Sequence, residues 1–204
     1  MHLVCLDLEG VLVPEIWITF SKITGIPEFE RTTRDEPDYN KLMHYRMDLL
    51  KKHNLNLYDI QNAIKTMEPL PGSENFLLGL RKKTQLIILS DTFEEFAMPL
   101  MEKLMFPVLF CNNIKTDNEG FVTGYELRQE NGKKAAVAAL KSINFKVFAA
   151  GDSYNDLEMI READDGCLFR APIAIRESHS HIDCVESFDE LENKIDFFLA
   201  GDSL

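Results

Sequence analysis

The sequence predicts an α/β fold with a mainly parallel sheet. Short apolar runs alternate with segments of helical period along the 204 residues, which is the order of elements that such a sheet requires. The first run, residues 3–6, is continuously apolar, as strands buried on both faces are. This run ends at Asp7 and a later one ends just before Asp152, and parallel sheets bind ligands at the carboxyl ends of their strands.

The elements follow in order along the chain. Apolar runs predict strands at 3–6, 86–89, 147–150, 166–169 and 182–185. Apolar spacing predicts helices at 73–83, 92–104, 133–144, 155–163 and 187–200. Segment 108–128 differs from this alternation, because two polar-apolar stretches flank Asn118-Glu119-Gly120, and this pattern predicts a β-hairpin.

Residues 14–68 contain helical patterns only, at 15–24, 38–52 and 57–67, with Pro27 and Pro37 as interruptions. This insertion follows the first strand directly, so it is placed to act as a lid over the strand ends. We therefore predict two units. The core comprises residues 1–13 and 69–204, and the helical cap comprises residues 14–68.

Charge and cysteine content restrict the class of protein. The formal net charge is −12, which excludes the basic surface needed to bind nucleic acid or an anionic membrane. The four cysteines are scattered without a CxxC pair, and no signal peptide or membrane-length apolar run is visible. These features predict a cytoplasmic protein.

The acids after the first strand are the strongest chemical signal. The Asp7 carboxylate is a candidate nucleophile that can attack phosphorus and form an aspartyl-phosphate. Glu9, two residues on, is predicted to face the same side and to serve as general acid and then as general base. An Asp-x-Glu pair by itself is weak evidence of a catalytic role, so its interpretation depends on the residues that follow the other strands.

Ser90, Asp91 and Thr92 follow the second core strand. The Ser90 hydroxyl and nearby backbone N–H groups are suited to binding phosphate. The alternative is that these residues cap the next helix, since Ser, Asp and Thr all favour that position.

The sequence GDSYND, residues 151–156, ends a further strand. Asp152 is a candidate ligand of Mg²⁺, a hard cation that prefers carboxylates and phosphate oxygens. Asp156 is placed to orient water ligands of the metal or to orient Lys133. The alternative for this segment is a capped helix start. Lys133 or Lys134 is a candidate to neutralise phosphate, and a solvated surface is the alternative for both.

Together these segments resemble the four motifs of the haloacid-dehalogenase-like superfamily of phosphotransferases: DLEGV at 7–11, ILSDT at 88–92, one lysine of Gly132-Lys133-Lys134, and GDSYND. The resemblance implies a Rossmann-like core, Mg²⁺ and an aspartyl-phosphate intermediate. By position it implies that Asp7 is the nucleophile, Ser90 binds phosphate and Lys133 is the motif lysine. It also places Asp91, Thr92 and Asn155 beside the phosphate, and Asp7, Glu9 and Asp152 at the metal.

The helical insertion and the hairpin resemble those of phosphoserine phosphatases, which implies L-phosphoserine as substrate. In that group a glutamate at the start of the cap binds the substrate amine and a cap arginine binds its carboxylate; Glu15, after a one-residue shift, and Arg46 match. Arg46 also lies within an apolar stripe, so its charge needs a partner, a wet cleft or a path to the rim. The stripe consists of Tyr39, Leu42, Met43, Leu49 and Leu50.

Two residues depart from that pattern. Glu9 stands where the family usually has Asp, and Asp91 stands where phosphoserine phosphatases usually have Gly. The start DLEGVLVPE and the SDT motif are similar to a subgroup of phosphoserine:homoserine phosphotransferases, which implies L-homoserine as a second acceptor beside water. The alternatives are a phosphatase of another small phosphomonoester and a catalytically silent binding protein on the same fold.

Overall fold

Seven strands form one sheet in the computed structural model, which describes residues 1–32, 35–36 and 38–201. Pro37 and the last three residues of the expected core lie outside the described residues. The strands are β1 (His2–Leu6), β2 (Gln85–Phe93), β3 (Leu109–Thr116), β4 (Val122–Glu126), β5 (Lys146–Gly151), β6 (Asp165–Phe169) and β7 (Cys184–Val185).

The helices of the described chain alternate with these strands, except in the insertion after β1 and between β3 and β4, which follow one another directly. They are α1 (Ile16–Thr24), α2 (Tyr39–Lys52), α3 (Leu57–Lys65), α4 (Ser73–Arg81), α5 (Glu94–Lys103), α6 (Gly132–Ser142), α7 (Leu157–Glu162), α8 (Ile173–Ser178) and α9 (Phe188–Ala200). Short 3₁₀ turns cover Pro27–Glu30 and Tyr154–Asp156. Among the residues described, no helix is both long and apolar enough to cross a membrane.

The strand order is β4-β3-β2-β1-β5-β6-β7, and only the β3–β4 pair is antiparallel. This confirms the predicted α/β fold, its mainly parallel sheet and the hairpin. The chain runs from β1 to β2 and β3 on one side and returns to β5 on the other. The order of the strands therefore reverses beside β1, and this is the position at which open parallel sheets bind ligands.

Alternate residues of β1 pack on opposite faces of the sheet, as the two-residue period of a strand requires. Leu3 and Cys5 lie in an apolar cluster with residues of α6, α7 and α8. Val4 and Leu6 lie in a second cluster with residues of α4, α5 and α9. Both faces are thus covered, which explains why the β1 run is apolar throughout.

The helical insertion shares the second of these clusters. Phe20 of α1 and Phe29 of the first 3₁₀ turn belong to the same buried cluster as Val4. Helix α3 packs against α1 and α5, α2 packs against β4, and the Leu57 amide donates to the Gly120 carbonyl oxygen at 2.9 Å. The insertion and the sheet therefore share one apolar core, and a separate cap domain at 14–68 stays a prediction.

Several boundaries differ from the sequence prediction. The helix expected at 92–104 begins at Glu94, because β2 continues to Phe93, which pairs with Asn112 of β3. The strand expected at 182–185 is reduced to Cys184–Val185. Helix α8 was not predicted, since its six residues are too few to establish a helical period.

Candidate active site

Three carboxylates converge at the carboxyl ends of β1 and β5. One oxygen each from Asp7, Asp152 and Asp156 lies within 4.8 Å of the others. Asp7 follows β1 and stays in register with β5, because its amide donates to the Ala150 carbonyl oxygen at 3.0 Å. Asp7 and Asp156 are buried and Asp152 is partly buried. The reversal of strand order therefore brings acids from distant parts of the sequence together.

Gly10 makes this convergence possible, and sequence reasoning did not assign it a role. Its φ is +76°, a conformation that glycine adopts readily. A Cβ at this position would lie 2.4 Å from Cγ of Asp152. Any other residue would displace the carboxylate, and the only signal in the sequence was a glycine directly after two strand-end acids.

Lys133 is the cation of the cluster. It is 4% exposed, and its Nζ lies 2.6 Å from Oδ1 of Asp156 and 2.9 Å from Oδ1 of Asp7. Burial lowers the pKa of Lys133, but the carboxylates of Asp156 and Asp7 outweigh it and raise that pKa well above the usual value, so Lys133 is charged. Lys134 lies at the surface, 3.0 Å from Glu158. The structure thus brings Lys133, not Lys134, to the cluster.

Asp156 organises the end of β5. Its Oδ1 holds Lys133, and its Oδ2 accepts from the amides of Asp152 and Ser153, both at 3.0 Å. Ser153 and Asp156 also form a capping box, so the capped start expected as an alternative is present as well. A Cβ on Gly151 would lie 2.2 Å from Cγ of Asp156, which explains the glycine there.

The cluster favours an added cation. Burial, and then the charge of Asp156, raises the pKa of Asp7 well above its usual value. The same causes in the same order raise the pKa of Asp152 to about 7. Lys133 alone does not balance the carboxylates, and hard carboxylate oxygens are the ligands that Mg²⁺ prefers. These residues therefore fit the expected Mg²⁺.

Ser90 lies in β2, 6% exposed, and its Oγ accepts from the Thr92 amide at 3.2 Å. The alternative of a helix cap is wrong for Ser90, Asp91 and Thr92, because β2 runs through them and Phe93 occupies the N-cap position of α5. The Ser90 hydroxyl is left to donate its proton. The Asp91 Oδ2 accepts from Nδ2 of Asn155 at 2.7 Å and lies 3.6 Å from Nζ of Lys133.

The Glu9 side chain is hydrogen-bonded to the helical insertion. Its Oε2 accepts from the Ile16 amide at 2.8 Å, at the start of α1. Burial, and then the charge of Glu15, raises the pKa of Glu9 to about 8. Glu9 therefore carries a proton at neutral pH, as a general acid must. Its expected role as a metal ligand stays a prediction.

Arg46 is buried within the insertion and does not extend to the rim. It is 7% exposed, and its Cζ lies 4.6 Å from the centre of the Trp17 ring. Nη2 donates to the Arg31 carbonyl oxygen at 2.9 Å, whereas Nε has no hydrogen-bond partner among the described residues. Burial lowers the pKa of Arg46 to about 10, so the guanidinium is charged at neutral pH. Nη1 contacts the Met43 sulfur at 3.9 Å, so Nε is the nitrogen of this buried cation that an anion would satisfy.

The chain is similar to known proteins along most of its length. The profile of the haloacid dehalogenase-like hydrolase family matches residues 1–164. A phosphoserine phosphatase of Pseudomonas syringae pv. tomato is 48% identical over 194 residues, which are 95% of this chain and 82% of that protein. The phosphoserine phosphatase ThrH of Pseudomonas aeruginosa is 47% identical over 194 residues, 95% of each chain. A solved substrate-bound phosphoserine phosphatase has a TM-score of 0.76 at 22% identity, covering 96% of this chain and 97% of that one.

Proposed function

The chain belongs to the haloacid dehalogenase-like hydrolases, and on this basis we propose that it is a Mg²⁺-dependent phosphoserine phosphatase that works through an aspartyl-phosphate on Asp7. One observation carries the proposal: a buried Asp7–Lys133 pair, 2.9 Å apart, and a buried Arg46 with an unpartnered edge occur in one molecule. The first suits a phosphoryl group and the second a carboxylate. The two relatives at 47–48% identity, both phosphoserine phosphatases, support the substrate.

In the first half-reaction Asp7 attacks phosphorus. Its Oδ1 is held by Lys133 and by the Leu8 amide at 2.7 Å, which leaves Oδ2 as the attacking oxygen. As the new O–P bond forms, the bond from phosphorus to the serine oxygen breaks, and Glu9 gives that oxygen its proton. The products are serine and the aspartyl-phosphate, with Glu9 now ionised.

The phosphoryl oxygens need donors and positive charge during this transfer. Lys133, the Ser90 hydroxyl and the Asn155 amide are the proposed donors, with Thr92 and Asp91 shaping the same strand end. Mg²⁺, held by Asp152 and Asp7, would add positive charge next to the phosphoryl group. Asp156 keeps Lys133 in place through the 2.6 Å contact.

In the second half-reaction Glu9 removes a proton from an incoming hydroxyl group. The oxygen of that group bonds to phosphorus, and the bond from phosphorus to Asp7 breaks. Water yields inorganic phosphate, and L-homoserine would yield phosphohomoserine. The longer Glu9 side chain supports homoserine as an acceptor, because a general base must come within hydrogen-bond distance of the proton it removes.

The amino-acid end of the substrate is assigned to the insertion. Arg46 would bind the carboxylate with its unpartnered edge, and Glu15, exposed just before α1, would bind the amine. This arrangement favours phosphoserine over a phosphomonoester without a carboxylate. The intact set of Asp7, Lys133 and Asp152 counts against a silent binding protein. A cytoplasmic location stays a prediction.

The test is product analysis by ³¹P NMR with phosphoserine and Mg²⁺, with and without saturating homoserine. We expect inorganic phosphate from phosphoserine, loss of turnover on chelation, and part of the phosphorus in phosphohomoserine when homoserine is present. If phosphate stays the only phosphorus product, transfer to homoserine is wrong and hydrolysis remains. If phosphoserine is not turned over while another ester is, the substrate is wrong.

A further inference from the structure

Asp91 places a negative charge among the groups assigned to the phosphoryl oxygens. Its Oδ2 accepts from Asn155 Nδ2 at 2.7 Å and lies 3.6 Å from Lys133 Nζ. Both partners are donors that a phosphoryl group requires. The Asp91 carboxylate therefore contacts two donors that an anionic ligand would otherwise use.

The main chain of Asp91 is fixed while its side chain has room to move. The Asp91 carbonyl oxygen accepts from Asn112 Nδ2 at 3.0 Å, and Asn112 is buried and held in turn by the Arg128 amide at 3.0 Å. The Asp91 side chain is 46% exposed and borders a cavity of about 500 Å³. The carboxylate can therefore leave Lys133 and Asn155 without movement of β2.

We propose that Asp91 is a built-in competitor of the phosphoryl group. Its carboxylate occupies Lys133 and Asn155 until a phosphoryl group displaces it into the cavity. The inference rests on the proposed function, which assigns phosphate to these donors. Asp91 would thus act against the retention of phosphate, in contrast to the binding role that its position in the motif suggests.

The consequence is weak retention of inorganic phosphate. A free phosphate ion must displace the Asp91 carboxylate and then remain close to its negative charge. The only contacts that offset this cost are those of the phosphate oxygens with their donors. The Asp91 carboxylate repels the phosphoryl group of phosphoserine in the same way, but phosphoserine also gains the contacts of its amino-acid end with Arg46 and Glu15. Asp91 would therefore favour the complete substrate over the product and limit product inhibition.

The test is the binding of inorganic phosphate to the Mg²⁺-loaded protein by isothermal titration calorimetry. Asp91→Asn keeps the size of the side chain and removes its charge, so we expect phosphate to bind about tenfold more tightly. In steady-state assays the inhibition constant of phosphate should fall by a similar factor, whereas kcat for phosphoserine should change less. Asp91→Gly is a second variant, and it should also bind phosphate more tightly than the wild-type protein.

Glu158→Gln is the matched control. Glu158 borders the same cavity and loses the same charge, but its carboxylate pairs with Lys134 rather than with Lys133. Phosphate affinity in this variant should change by less than about twofold, because Glu158 pairs with Lys134 and Arg161 rather than with the donors assigned to phosphate. Tenfold tightening here as well would reduce the effect to general electrostatics and overturn the proposal.

Unchanged or weaker phosphate binding in both Asp91 variants would also overturn it, because Asp91 would then support the phosphate site. The calorimetric result does not depend on the substrate. If the wild-type protein binds phosphate but does not turn over phosphoserine, the proposed function fails while the competition by Asp91 is still measured. If phosphate binds neither the wild-type protein nor the Asp91 variants, the assignment of these donors to phosphate fails, and the inference fails with it.

Discussion

Two neighbouring regions differ in how their buried cation is paired. In the catalytic floor, formed by Asp7, Lys133, Asp152 and Asp156, the single cation lies within 3 Å of two carboxylates. In the recognition pocket, formed by Glu15, Trp17 and Arg46, the Arg46 guanidinium stacks on the Trp17 ring and its Nε has no partner among the described residues. In the floor, carboxylates of Asp7 and Asp156 accept from Lys133, whereas in the pocket Nε of Arg46 has no acceptor among the described residues.

The difference indicates which region performs chemistry and which selects. A buried donor without a partner costs about 1–3 kcal/mol, and a ligand that accepts from it recovers that free energy. The floor is built from the ends of adjacent strands, and its geometry is fixed by the sheet. The pocket depends on how the helical insertion lies over those ends. We therefore assign phosphoryl transfer to the floor and substrate choice to the pocket.

The largest effect is expected from replacing Asp7, the proposed nucleophile of the floor. Asp7→Asn preserves the shape of the side chain but cannot form the aspartyl-phosphate, so kcat should fall by more than about a thousandfold for every phosphate ester. Steady-state kinetics measures the loss, and circular dichroism checks that the fold is intact. Activity within about tenfold of wild type would contradict covalent catalysis by Asp7.

A smaller effect is expected from replacing Asp152, the proposed metal ligand of the floor. Asp152→Asn should weaken Mg²⁺ binding at least about tenfold, as loss of a charged oxygen ligand predicts. Because the pKa of Asp152 is raised to about 7, wild-type Mg²⁺ affinity should also fall as the pH drops below that value. Calorimetry of Mg²⁺ binding measures both effects. Asp183→Asn, a change of the same charge at a carboxylate that is 72% exposed, is the control and should alter neither.

The pH dependence tests the proposed role of Glu9 as the general acid of phosphoryl transfer. Since the pKa of Glu9 is raised to about 8, the acid loses its proton above that pH, and kcat/KM for phosphoserine should fall about tenfold per pH unit there. An aryl phosphate, whose leaving group needs no proton, should show no such decline. Identical profiles for the two substrates would exclude Glu9 as the general acid.

Much of the floor could be predicted from the sequence, because strand ends are marked locally. Apolar runs that end at Asp7 and just before Asp152 locate two residues of the floor, and the resemblance to the family's motifs indicated Lys133. Contacts between distant segments carry no such mark. The Asp91–Asn155 hydrogen bond joins residues 64 apart, and the need for Gly10 depends on where Asp152 lies in space.

The pocket was predicted less completely for the same reason. The apolar stripe of α2 indicated that Arg46 needs a partner or a wet cleft, and its burial agrees with that expectation. The stripe could not show that Trp17 would lie under the guanidinium, since α1 and α2 meet only in the folded insertion. The orientation of Glu9 toward α1 likewise depends on the Ile16 amide.

The most direct test of this division is the specificity of Arg46→Ala, measured as kcat/KM for phosphoserine and for phosphoethanolamine, which lacks the carboxylate. Loss of a charge-assisted pair with a buried partner costs about 2–4 kcal/mol, equivalent to about 30- to 1000-fold. Arg81→Ala, a surface change far from the site, is the control. We predict that phosphoserine loses this factor while phosphoethanolamine changes by less than about threefold. Equal losses for both substrates would contradict the account, because Arg46 would then serve the phosphoryl group or the fold.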